Sequence, residues 1–428
     1  MPTTVVLGTG IIGLSTAYYL ARLGDPEDDA TSQPATSDSQ SEATSQRHEI
    51  HLVEPSPELF ASASGKAAGF LAKDWFAPAV SPLGEFSFDL HRKLAAEHNG
   101  RARWGYSSSV SYSLDPEDSD RTSSTDLSWL MDGTSRASLL DEATVELDGA
   151  DGDKLPRWLR ARRSALQAIS DTTTTGQVDP HRLCQFLLDE CRARGVHLHQ
   201  PAHASDLLGS APSEGVPGRT VDIPCDSIVI AAGCWTPRVY RTLFPNAGRI
   251  PRVTALAGHS IIMKSAHWPP KPRKRKAEKR NHAIFTNDKT GYSPEIFSRL
   301  TGDVWVGGLN TSSIPIPPVP TLAIPDPASI ARLRTTSDRL LGTQTELISS
   351  ALCFRPVAPT GRPVIARMHE ADLGDGAKVP RGVFVATGHG PWGISLSLGT
   401  GYVVSEMILG RKTSVDVKVL GTWEAQAP

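Results

Sequence analysis

The stretch from Val5 to Gly13 leaves this chain the fewest choices of fold. An apolar run, Val5-Val6-Leu7, leads directly into Gly8-Thr9-Gly10-Ile11-Ile12-Gly13. A buried strand, a tight glycine turn and the first turn of a helix follow from that order. The backbone N–H groups at such a helix N-terminus make an anion site suited to a pyrophosphate. Gly8 serves the tight turn, Gly10 lets a phosphate come close, and Gly13 lets helix and strand pack closely.

Residues 11–23 read as the helix, with Gly24 as its C-cap. The next strand, Glu49-Ile50-His51-Leu52-Val53, ends in Glu54. An acidic residue there is placed to hold ribose hydroxyls. The usual gap from the last glycine is ~20 residues, whereas Gly13 and Glu54 stand 41 residues apart. Residues 25–46 account for the excess. They contain no Leu, Ile, Val, Met or aromatic residue, and such a segment cannot offset its ordering entropy by burial. We read it as a disordered surface insert.

At 428 residues the chain exceeds what one simple core accommodates, so two intertwined or sequential domains are expected. A net charge of −2 provides no field for nucleic acid or an anionic membrane. The five cysteines, Cys184, Cys191, Cys225, Cys234 and Cys353, lack metal-ligand spacing and fit a reducing compartment. The first strand begins within a few residues of Met1, which leaves no room for a signal peptide. No apolar run reaches the ~18 residues of a membrane span. Together these place the protein in the cytoplasm. Seven basic residues in the ten from 271 to 280 read either as a nuclear-import or polyanion patch or as a solvated loop between strands.

Two further segments repeat the opening theme. Residues 227–233 form an apolar strand ending in small residues, the pattern of a buried parallel strand. Residues 383–394 again read strand, glycine turn, helix. Asp179 and Pro180 form a helix entry, Gly195 ends that helix, and residues 196–198 read as a short strand. Residues 249–264 and 304–308 alternate like antiparallel strands. Residues 104–169 are polar with scattered aromatics and read as a separate lobe. A nucleotide domain assembled from distant pieces, with a sheet-rich domain inserted twice, fits this layout.

These residues resemble the FAD-dependent D-amino-acid oxidase, glycine oxidase and sarcosine oxidase superfamily, over nearly the whole chain. Gly8, Gly10, Ile11, Ile12, Gly13 and Glu54 match its FAD pyrophosphate and ribose elements. Ser64-Gly65-Lys66 resembles the loop along the pyrophosphate and flavin. Ala232, Gly233 and Trp235 match the A-A-G-x-W-[ST] strand end beside FAD. Gly388, His389, Gly390, Trp392, Gly393 and Ile394 resemble the G-H-G-x-x-G turn, whose helix faces the flavin pyrimidine ring. The resemblance implies an α/β fold: a Rossmann-like FAD-binding domain (1–105, 175–245 and 351–428) with an inserted, mainly antiparallel β-sheet substrate domain (106–174 and 246–350).

On the substrate side, Cys353-Phe354-Arg355-Pro356-Val357 resembles the family's G-F-R-P-V segment. Arg355 is then the clamp for a substrate carboxylate; a structural Arg–Pro corner is the alternative. Downstream, Pro359-Thr360-Gly361 departs from the T-P-D of related enzymes. Cys353 stands where most relatives have glycine and where monomeric sarcosine oxidases link cysteine to the flavin, so a covalent cysteinyl-FAD and a small buried thiol are both open. The resemblance places Tyr292 to close the substrate pocket and Glu295 to pair with an amine; ordinary sheet-surface residues are the alternative for both. The implied activity is oxidation of the C–N bond of a small amine or amino acid to an imine, with oxygen or another electron acceptor. Two alternatives are a flavin-bearing regulatory or trafficking scaffold and an NAD-dependent dehydrogenase.

Overall fold

The computed structural model describes residues 1–25, 47–114, 156, 158–160, 166–207, 220–265, 268, 280–286, 291–374 and 378–426. The insert at 25–46 and the basic run at 271–280 lie outside these residues, apart from Asp25 and Arg280 at their edges. So do residues 115–155 of the polar lobe.

In chain order the strands begin with β1 (Thr3–Leu7), β2 (Glu49–Val53), β3 (Phe70–Ala72), β4 (Ser107–Leu114), β5 (Leu166–Ser170), β6 (Thr175–Gln177), β7 (His197–His199) and β8 (Ser227–Ile230). They continue with β9 (Ile250–Pro251), β10 (Thr254–Ser265), β11 (Asn281–Thr286), β12 (Glu295–Ser298) and β13 (Asp303–Thr311). The last are β14 (Thr345–Val357), β15 (Val364–Arg367), β16 (Gly382–Thr387) and β17 (Ala425–Gln426). The helices are α1 (Ile11–Leu23), α2 (Ala63–Lys66), α3 (Ser81–Glu97), α4 (Gly100–Trp104) and α5 (Pro180–Ala193). They are followed by α6 (Thr236–Leu243), α7 (Pro327–Leu341), α8 (Glu370–Leu373) and α9 (Gly393–Ile408).

A six-stranded sheet runs β15-β16-β8-β1-β2-β7. Its pairs are parallel except β15–β16. The three strands that end in the functional turns, β1, β8 and β16, lie side by side at its centre, although they come from the start, middle and end of the chain. Their apolar runs are buried on both faces, as a covered parallel sheet requires. Val6, Leu14, Leu20, Leu52 and Val229 are completely inaccessible. Burial of each such side chain is worth about 1.5–3 kcal/mol. Helix α1 is buried on most of its surface, and Ser405 of α9 donates a 3.0 Å hydrogen bond to the Thr16 carbonyl. Helix α5 starts as its sequence dictates: the Asp179 side chain accepts from the Arg182 N–H at 3.1 Å, with Pro180 following. Cys184 and Cys191 are core residues of this helix.

A nine-stranded sheet runs β14-β10-β13-β12-β11-β4-β6-β3, with β5 paired to β4. It is mainly antiparallel; β11 and β4 pair in parallel. It reaches into ranges expected to belong to the nucleotide unit: β3 and β6 pair within it, and β14 straddles position 351. Side chains alternate between its faces. Ile296, Val304 and Val306 pack with Leu333 and Leu340 of α7. Phe285, Phe297 and Trp305 point the other way and pack with Phe70 in the core that also holds α1 and α9. One face of this sheet is thus closed by its own helix, and the other is turned to the first sheet. No helix among the described residues is long and apolar enough to cross a membrane.

Candidate functional site

A cavity of about 460 Å³ opens where the ends of β1, β2, β8 and β16 meet β10, β13 and β14. The turn after β1 forms one wall. Gly8 has φ +105, and a Cβ there would lie 2.6 Å from the Ala231 carbonyl oxygen. At Gly13 a Cβ would lie 2.0 Å from the Gly8 oxygen, so α1 can begin this close to its strand only with glycine. Gly10 caps α1 without a side chain, and no acidic residue occupies the first turn. Ser64 Oγ accepts from the Ile11 N–H at 2.9 Å, which fixes α2 against this turn.

Glu54 continues β2 into the cavity. Its two carboxylate oxygens accept from the N–H groups of Thr9 and Ser56, each at 3.0 Å. Burial pushes the carboxyl above the usual range, and the two donors act against that. At the far end, α9 starts after the turn Gly388–Trp392. Its N-terminus also has no side-chain cap and no acidic residue in its first turn. His389 lines the cavity and is buried. Burial lowers its imidazole to about 3, so it is neutral at pH 7. Nε2 lies 3.0 Å from Thr400 Oγ1, and Nδ1 has no partner among the described residues. The His389 ring therefore supplies no positive charge.

The wall from the nine-stranded sheet has a different character. Cys353, Phe354 and Arg355 on β14, Gly258, His259 and Ser260 on β10, and Trp305 on β13 line it. Arg355 NH1 donates to Asn310 Oδ1 at 2.6 Å, and the guanidinium has no acidic partner among the described residues. A Cβ at Gly258 would lie 2.8 Å from Asn310 Oδ1 and 3.4 Å from Arg355 Cζ, so the bare glycine makes room for this pair. The Cys353 thiol is buried; desolvation raises its pKa, against the lowering effects of Arg355 and Lys66. Trp235 Nε1 donates to the Pro317 carbonyl at 2.8 Å, and Arg238 NH1 to that of Pro318 at 3.0 Å. These bonds draw the proline-rich connection after β13 over the mouth.

Of the residues singled out in the sequence, Gly8, Gly10, Ile11, Ile12, Glu54, Ser64, Ala232, Gly233, Trp235, Cys353, Arg355, His389, Gly390, Gly393 and Ile394 line this one cavity. Gly13, Gly65 and Gly388 stand behind it and allow close backbone packing. Trp392 is turned into the core against Trp75 and Phe76. Lys66 is exposed; its N–H donates to the Ser62 carbonyl and its carbonyl accepts from Trp305 Nε1, each at 3.1 Å.

Two expectations need correction. Tyr292 does not close the pocket: its hydroxyl bonds Thr336 on α7 and its ring lies under Arg332, on the opposite side of the sheet. Glu295 is buried but does not line the cavity. The Trp305 indole lies over Gly307, the register partner of Glu295, and fills that part of the face. Asn310, Gly258 and Trp305 escaped the sequence reading. Their roles come from contacts across strands, and only the alternation around residues 304–308 hinted at them.

The family model described as FAD dependent oxidoreductase (DAO) matches residues 3–407. The chain belongs to that family. It is 24% identical over 440 residues to a Schizosaccharomyces pombe protein described only as an oxidoreductase, covering 97% of this chain and 96% of the relative. Among solved structures it is similar to glycine oxidase from Geobacillus kaustophilus, at 19% identity, TM-score 0.68 and 98% coverage of both chains. Iminodiacetate oxidase from Chelativorans sp. BNC1 is similar at 18% identity and TM-score 0.68, covering 99% of this chain and 100% of that one. These likenesses establish the fold of an FAD-dependent oxidoreductase of the DAO family. The cavity fits FAD on its own chemistry: two helix N-termini whose capping residues make no side-chain bond, with no acidic residue in their first turns, and a carboxylate at the end of β2.

Proposed function

We propose that this enzyme oxidises the C–N bond of a small amine or amino acid carrying a carboxylate, giving an imine that water hydrolyses. The observation that carries the reading is Arg355. It is a cation on the cavity wall, held by a neutral amide and lacking an acidic partner among the described residues. A guanidinium in that setting pairs best with an anion that arrives as ligand, and a carboxylate can engage it in a two-pronged fork.

In this reading Gly8–Ile12 and Glu54 hold the pyrophosphate and ribose of FAD, and Gly390–Ile394 face its ring system. FAD supplies the hydride acceptor. The protein's part is position and field. Arg355 fixes the carboxylate and so limits how the adjacent C–N bond can lie. Asn310 fixes Arg355. The N-terminus of α9 offers its dipole to negative charge that develops on the ring system. Trp305, Phe354 and Trp235 exclude water from the reacting carbon. Among the described residues no carboxylate lines this end of the cavity, and in this reading the substrate amine loses its proton to water or to the medium before oxidation. The glycine and iminodiacetate named for the two neighbours are both small amino acids, which supports the reading.

The test is anaerobic mixing of the FAD-loaded protein with a panel of small amines and amino acids, following loss of the oxidised flavin's visible absorbance. Carboxylate-bearing amines should bleach it. Arg355→Met should retain FAD and weaken that response at least ~100-fold, as expected when charge-assisted bonds of roughly 1.5–3 kcal/mol each are lost. Bleaching by carboxylate-free amines that is equal in Arg355→Met would remove the reading.

A further inference from the structure

Arg299 is 6% exposed and takes no part in the chemistry above. It follows β12, and its NH1 lies 3.4 Å from Asp303 Oδ2. Its NH2 reaches across to the other half of the protein, donating to the Ala67 carbonyl at 3.0 Å and to that of Ala68 at 3.4 Å. Two neighbours do the same. Gln177 Nε2 donates to the Ala68 carbonyl at 2.5 Å, and Trp305 Nε1 to the Lys66 carbonyl at 3.1 Å. Three consecutive carbonyls, 66 to 68, are therefore each held by a side chain of the nine-stranded sheet. All three donors are buried.

The held segment is not incidental to the site, since Ala67 and Ala68 line the cavity. A trans peptide directs its N–H opposite to its C=O. Drawing the carbonyls of Ala67 and Ala68 toward the sheet turns the N–H groups of Ala68 and Gly69 away from it. Neither N–H bonds another described residue. Buried N–H groups are almost always paired, with a ligand where protein does not serve. A buried arginine is also an expensive way to secure a loop when an apolar contact would do.

We propose that Arg299, with Gln177 and Trp305, is a positioning group for the cofactor. The clamp sets the backbone of residues 66–69 so that its N–H groups meet the ring system of FAD, and through it the substrate-side sheet tunes the cofactor's potential. The N–H donors favour the more electron-rich, reduced cofactor. Loosening the clamp lowers the relative affinity for that form.

The experiment uses the full chain and needs no substrate. Arg299→Met, Arg299→Lys and Trp305→Phe are purified without FAD. Their melting is recorded, FAD binding is titrated by fluorescence, and the midpoint potential of the loaded protein is measured by dye equilibration. Arg299→Met should weaken FAD binding about tenfold. Its midpoint should fall by about 30 mV, the equivalent of a tenfold loss of preference for the two-electron-reduced form. Arg299→Lys, which keeps one donor, should lie between it and the parent. Trp305→Phe should shift the potential in the same direction. A lower melting temperature without FAD, at unchanged affinity and potential, would mean that Arg299 merely bolts the two halves together and would overturn the proposal. If Arg299→Met does not fold, unchanged potentials in Arg299→Lys and Trp305→Phe overturn it equally.

Discussion

Gly10 and Gly13 stand three residues apart in one motif, yet the structure gives their alanine variants different failures. At Gly13 a methyl group would sit 2.0 Å from the Gly8 carbonyl oxygen and 3.2 Å from Val6 Cγ1. Ordinary contact needs about 3.4 Å or more, so the first turn of α1 and the end of β1 must separate by more than 1 Å. Overpacking of this kind costs about 1–3 kcal/mol, and the cost falls on the protein with or without cofactor. At Gly10 a methyl group meets only Ser64 Oγ, at 3.0 Å. The backbone there, φ −72 and ψ 176, is open to alanine. The poorer N-cap and the stiffer unfolded chain offset each other to within about 1 kcal/mol. What a methyl at Gly10 does obstruct is the approach of a phosphate to the helix N-terminus. Gly13→Ala should therefore melt earlier in both forms. Gly10→Ala should melt normally without FAD and bind FAD at least ~10-fold more weakly, a loss of ~1.4 kcal/mol. Thermal melts of both variants, with and without saturating FAD, decide the matter. Parental FAD affinity in Gly10→Ala would refute the assignment of this turn to the pyrophosphate.

Three other outcomes are expected. Asn310→Ala frees the Arg355 guanidinium from its 2.6 Å partner; steady-state kinetics should show a higher KM for a carboxylate substrate with little change in FAD affinity. His91 and His389, lowered by burial to about 4 and about 3, are neutral in the folded protein at pH 7. Both contact α9, His91 through an Nε2–H bond to the Ile394 carbonyl. Because their folded pKa values lie below the unfolded ~6.5, stability is fully present above that pH and falls as pH drops toward 4. The loss is roughly 2 kcal/mol for each by pH 5. Urea titrations at pH 7 and 5 should show it, and His91→Gln, which keeps a donor, should flatten the dependence. Finally, desolvation keeps the Cys353 thiol protonated at neutral pH, so acid precipitation should release FAD to the supernatant. Colour retained in the pellet, and lost from it in Cys353→Ala, would instead establish a link at that residue.

What was legible in the sequence divides along physical lines. The three strand-to-glycine turns could be read because each is built by residues close in the chain, with an apolar run, a glycine and a helix start in fixed order. Asp179 could be read as a cap for the same reason, since its partner Arg182 is three residues away. The order of strands could not be read, because nothing local to Val383 says that its strand pairs in parallel with Ile228, more than 150 residues earlier. The substrate side depends on such pairings almost entirely. Arg355 was visible as part of a short resemblance, but Asn310 reaches it only through β10, which pairs with β13 on one side and β14 on the other. Tyr292 and Glu295 failed for a related reason. Side chains two apart share a face and side chains one apart do not, so placing a residue on a strand beside the cavity does not say which face it takes. Tyr292 precedes β12, outside any strand, and lies on the α7 side. Glu295 takes the cavity-facing side but is covered by an indole two positions along the neighbouring strand. The cofactor half of the site is written in consecutive residues, because backbone N–H groups and helix ends recognise the cofactor. The substrate half is written in side chains gathered from three strands, and its specificity becomes visible only when their register is known.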